Sequence, residues 1–125
     1  MDLKVKETLK SAIEGTGDVA SSVIGTAKNL VKDGTSDAGE IFEAVIDLGK
    51  EGVIDVTTGV KDVFIGVVSA LKESGKETQD AVEEVTVKAE NAIGNVAETG
   101  AENVGSAARQ GVEEAKKVVE EPFKK

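Results

Sequence analysis

The sequence predicts an all-α protein built from long amphipathic helices with an eleven-residue, three-turn (hendecad) repeat, arranged either as one extended helix or as a helical hairpin or bundle. Three observations predict it. A strict 4-4-3 step beginning at Val5 and ending at Val119 traces one seam along the chain that never meets a charged residue, although 31% of the residues are charged. The opposite face, through Glu7, Glu14, Asp18, Glu40, Asp47, Glu51, Asp62, Glu73, Asp80 and Glu84, is an acidic spine. Ten of the fifteen basic residues, among them Lys6, Lys28, Lys32, Lys61, Lys72, Lys76 and Arg109, directly follow a seam residue, where their methylene stems can cover apolar surface.

The stretch "GVIDVTTGVKDVFIGVVSAL", residues 52–71, tests the period most severely, because it is rich in β-branched residues. A half-buried strand would alternate apolar and polar residues, whereas here Val60, Phe64, Val67 and Leu71 recur at spacings of four, three and four. A transmembrane span needs about 20 mostly uncharged residues, and Asp55, Lys61 and Asp62 interrupt the stretch. The period is helical.

Elements follow in order. "EGTGD" at 14–18, "KDGTSDAGE" at 32–40 and "KESGKE" at 72–77 combine Gly with capping residues, and both Asp37 to Glu40 and Ser74 to Glu77 have capping-box spacing. These signals predict helices near 2–14, 18–33, 37–73 and 76–120. The whole forms a single amphipathic helical region over residues 1–121, with breaks near 15–17, 34–36 and 74–76 and a tail at 122–125 that begins with Pro122, a residue unable to donate a backbone hydrogen bond. The unbroken alternative is a helix roughly 170 Å long at 1.5 Å per residue. Seam glycines Gly34, Gly49, Gly75, Gly100 and Gly111 have two readings: close helix approach or helix ends, against an apolar face weak enough to order only on a surface.

Composition limits the function. The chain has no Cys, His, Trp or Tyr and three Phe, which removes thiol and imidazole chemistry and the usual zinc ligands; no catalytic residue, cofactor or metal site is expected. Fifteen basic against 24 acidic residues give a net charge of -9, which repels nucleic-acid phosphates. No phosphate-binding glycine motif occurs, so no small-molecule substrate is indicated. The start, "MDLKVKETLK", has no apolar signal core, and the expected location is cytoplasmic. The candidate interface is the apolar stripe, represented by Phe42, Val45, Val53, Val56, Val60, Phe64, Val67, Leu71, Val82, Ile93 and Val104.

Repeats with Val, Thr, Ala and Gly on the apolar face, as in "GVIDVTTGVKDVFIGVVSALKESGKETQDAV" and "AIGNVAETGAENVGSAA", resemble in pattern those of perilipins, synucleins and group 3 late embryogenesis abundant proteins. The resemblance implies coating of a lipid surface by an amphipathic helix, or a stress-protective chain that gains helix on drying or binding. A net charge of -9 departs from the cationic lipid-binding region of synucleins and directs the expectation to a neutral lipid or granule surface. A second expectation, from a different class, is a structural protein whose copies associate through the same stripe as a right-handed bundle or filament, each basic shoulder lying against a neighbour's acidic spine.

Overall fold

In a computed structural model, the described residues are 3–15, 19–34, 37–97 and 102–120, and among them the regular structure is helix, joined by turns. The elements are α1 (Leu3–Gly15), α2 (Val19–Lys32), α3 (Ala38–Lys50), α4 (Val56–Glu73), α5 (Thr78–Ala97) and α6 (Glu102–Glu120). Expectations at Thr16, Gly17, residues 35–36, Gly100 and the tail from Pro122 lie outside the described residues.

The predicted 37–73 helix is two helices. "KEG" at 50–52 repeats the "KDG" of 32–34, and both serve as helix ends: a basic residue in the last turn, an acidic C-cap and a glycine in the left-handed region. Gly52, at φ 85°, adopts that turn without steric cost because it has no Cβ. Its N–H bonds the Gly49 carbonyl at 3.1 Å and the Val53 N–H bonds the Leu48 carbonyl at 3.0 Å, a Schellman ending that reverses the chain. Asp55 then caps α4 by accepting from the Thr58 backbone N–H at 3.0 Å. The seam disguised this break, because its phase passes through Gly49, Val53 and Val56 without slipping.

Asp37 is the N-cap of α3, and its backbone N–H reaches Glu40 Oε1 at 3.4 Å, as the capping-box spacing predicts. Ser74 does not play the corresponding part for α5. It is the C-cap of α4, with its N–H directed to the Ala70 and Leu71 carbonyls, and α5 begins only at Thr78.

Helices two apart in the chain lie side by side: α1 with α3, α3 with α5, α2 with α4, and α4 with α6. Successive helices bridge these rows, giving an odd layer (α1, α3, α5) on an even layer (α2, α4, α6). α4 packs against α2, α3, α5 and α6 and is the centre of the fold. Its Val-rich sequence is a mediocre helix former in isolation, so tertiary burial on most of its circumference is what stabilises it. One apolar cluster fills the space between the layers, with Phe42 of α3 and Phe64 of α4 meeting edge to face, ring centroids 6.4 Å apart.

Candidate functional site

The sequence marks one candidate site, the apolar stripe, and the fold brings most of it together inside the molecule. Phe42, Val45, Val56, Val60, Phe64, Val67, Val82 and Ile93 are buried in the common cluster, while Val53, Leu71 and Val104 are half-buried against it. Elsewhere on the seam, Val5, Leu9, Val23, Ala27, Ala38, Ala89, Ala108 and Ala115 are also buried. Among the described seam residues, the exposed ones are the turn glycines Gly34 and Gly75, both with positive φ. The stripe that would face a surface in an extended helix is here the core.

That core is wider than the seam. Ile41, Ile46 and Leu48 on α3 and Val63, Val68 and Ala70 on α4 lie off the seam and are fully or almost fully buried. Their signal was present in the doubled apolar pairs of "IFEAVIDL" and "VFIGVVSAL", which give a helix apolar surface on two sides. The same geometry corrects the placement of Asp62. Expected on the outer acidic spine, it is 3% exposed, the one buried charged residue among the described residues. With four helices packed around α4, between Thr58 and Ala70 only Thr58, Lys61, Ile65 and Ser69 reach solvent. An Asp62→Asn change is therefore not the silent surface substitution that the spine implied.

The rim of the site is electrostatic. Lys6 of α1 pairs with Asp47 and Glu51 at the end of α3, and Lys28 and Lys32 of α2 converge on Glu73 at the end of α4. Each is a contact of the basic shoulder with the acidic spine, but made between helices of one chain rather than between copies. Hydrogen bonds from Lys28 and then Lys32 push the Glu73 carboxyl down from its ordinary 4.5 to about 2. Asp47, and after it Glu51, raises the pKa of Lys6, and Glu73 does the same for Lys32.

Between even helices, beside the ionic end at Glu73, side chains and glycines meet backbone. Thr57 Oγ1 of α4 donates to the Ala107 carbonyl of α6 at 2.9 Å. Gly66 of α4 lies on the Ile24 carbonyl and Ala27 of α2, and Gly111 of α6 lies on the Thr57 carbonyl and Val60 of α4. Because Gly66 faces Ile24 and Ala27 while Glu73 faces Lys28 and Lys32, α2 and α4 run in the same direction. Of the two readings of the seam glycines, close approach or helix ends describes Gly34, Gly49, Gly75 and Gly111 in this conformation.

Large apolar side chains on the outside are isolated: among the described residues Val87 is 59% exposed and Val118 41%. No helix among the described residues is long and apolar enough to cross a membrane, and no group of acidic side chains there could hold a metal ion. Comparison with known proteins gives no matching family model, no similar curated protein and no similar solved structure.

Proposed function

We propose that this chain is a non-enzymatic, cytoplasmic helical protein that binds an apolar interface, a neutral lipid or granule surface, by unpacking its two layers so that the hendecad seam faces the surface, with protection under stress as the setting in which it acts. The observation that carries this reading is the phase of the seam. A folded set of short helices gives each turn freedom to reset the phase, yet the 4-4-3 step continues through the turns at Gly34, Gly52 and Gly75. A continuous phase has value where the helices lie end to end on one plane. The closed form supplies a second support: with the stripe inside, the chain has a conformation in which it does not present that stripe to other copies. The filament reading has less to draw on, since Lys6, Lys28 and Lys32 already pair within the chain.

The test is flotation of the full chain with neutral phosphatidylcholine vesicles and with triacylglycerol droplets, followed by circular dichroism of the bound fraction. Phe64→Trp provides a fluorescent reporter in a chain without Trp. Retained helix with the indole moving from the protein core to lipid, detected by quenching with brominated acyl chains, is the expected result. Absence of the chain from the floating fraction on both surfaces, at every lipid concentration, would remove the proposal.

A further inference from the structure

Gly66 and Gly111 occupy opposite sides of α4, and both do something that an amphipathic helix on a surface would not need. A Cβ at Gly66 would stand 2.5 Å from the Ile24 carbonyl oxygen and 3.1 Å from Ala27 Cβ. A Cβ at Gly111 would stand 2.5 Å from the Thr57 carbonyl oxygen, 3.1 Å from Val60 Cβ and 3.2 Å from the Lys61 N. In both places the nearest obstacle is helix backbone, which has no rotamer to change, so a methyl group can be admitted only by moving α2 or α6 away from α4. Gly25 of α2 and Gly94 of α5 differ: a Cβ at either meets nothing within 4 Å. None of the four has the positive φ that would by itself exclude alanine.

In an open helix, whether free or lying on a surface, alanine is favoured over glycine at all four positions by about five-fold in the helix equilibrium. In the closed molecule alanine has that advantage at Gly25 and Gly94 but is opposed by the backbone at Gly66 and Gly111. We infer that Gly66 and Gly111 are the latch of the closed even layer, two positions at which a neighbouring helix backbone gives closed and surface-bound forms opposite residue preferences, and that surface binding proceeds by release of α2 and α6 from α4. This rests on the interface-binding reading above and adds to it the place where the molecule opens. Release breaks the Thr57 to Ala107 bond and uncovers Ala27, Val60 and Ala108, buried seam residues of all three even helices. The latch acts through population: a surface competes only with the closed form's margin over the open one, and glycine at these two positions sets part of that margin.

The experiment uses the full chain and four single variants, Gly66→Ala, Gly111→Ala, Gly25→Ala and Gly94→Ala, each melted without lipid and each titrated with neutral phosphatidylcholine vesicles. Gly66→Ala and Gly111→Ala are expected to melt below the parent yet bind at about five-fold lower lipid concentration or less, with full helix on the vesicles. Gly25→Ala and Gly94→Ala are expected to melt at or above the parent with lipid midpoints within about two-fold of it, because alanine helps both forms equally. A latch variant that is unfolded in buffer and regains helix on vesicles supports the inference; one that stays unfolded on vesicles overturns it. If the parent binds but the latch variants bind no better than the controls, the inference falls while the interface reading stands. If neither parent nor any variant binds, both fall.

Discussion

The even layer is held at backbone distance and the odd layer at side-chain distance. α2, α4 and α6 approach so closely that two glycines have carbonyl oxygens 2.5 Å from where their Cβ atoms would be, and one threonine hydroxyl bonds a neighbouring helix carbonyl. α1, α3 and α5 meet through larger side chains and polar pairs at the rim: Lys6 with Asp47 and Glu51, Lys88 with Asp37 at 3.3 Å, and Asn95 with Glu43 at 3.2 Å. Each surface pair contributes little, because solvent already stabilises the separated charges. The lesson is that the two rows fail differently. The even layer is intolerant of added volume, and the odd layer depends on the volume it has.

The largest effect should come from the place where both layers share a contact. Phe64→Ala removes the α4 ring that meets Phe42 of α3 and leaves a cavity between the rows, costing about 3–5 kcal/mol. Chemical denaturation would measure it, and hydrogen exchange should show protection lost in α3 and α4 together. Loss confined to α4 would mean that the layers are energetically separate.

Next comes the turn that joins the layers. Gly52→Ala places a side chain at φ 85° and should cost about 1–2 kcal/mol without altering either row. The comparison sharpens further with matched polar deletions. Thr57→Val removes a part-buried bond across the even layer and should cost about 1 kcal/mol, whereas Asn95→Ala removes an exposed pair across the odd layer and should stay within about 0.5 kcal/mol. Equal costs would contradict the contrast between backbone and side-chain contact.

Much of this was legible in the sequence. A charge-free 4-4-3 seam identifies an all-helical chain and selects residues that do lie inside, from Val5 to Ala115. Periodicity says which face is apolar but not what covers it, so the seam could not distinguish a core from a surface-facing stripe. The turn at Gly52 was readable as a second "KEG"-type ending and was hidden by phase continuity. Asp62 shows the limit from the other side: a face opposite the seam is outside only if a helix has one buried side, and α4, by its position between four others, has more. Close approach at Gly66 left no separate mark, because glycine at a helix interior looks the same in sequence whether it touches a carbonyl, as Gly66 does, or open space, as Gly25 does.

The smallest expected effect concerns the charged rim, and it divides the two layers by pH. Glu73, joining α4 to α2, has its carboxyl lowered from 4.5 to about 2 by Lys28 and then Lys32. A depressed carboxylate contributes stability that is fully present above its unfolded value and disappears as pH falls from about 4.5 through about 2. Lys6, joining α1 to α3, is raised above 10.5 by Asp47 and Glu51, so its contribution is present below 10.5 and disappears as pH rises past that value. Glu73→Gln should therefore separate from the parent in melting temperature at neutral pH and converge with it near pH 2, while Lys6→Met should converge with the parent only in strong alkali. Both differences should be smaller than that of Thr57→Val, and both should shrink in high salt, because these groups are exposed and their attraction is screened. Thr57→Val, with no charge involved, provides the salt-independent reference: if its cost fell with salt as steeply as that of Glu73→Gln, the even layer would be held by its ionic end rather than by backbone contact.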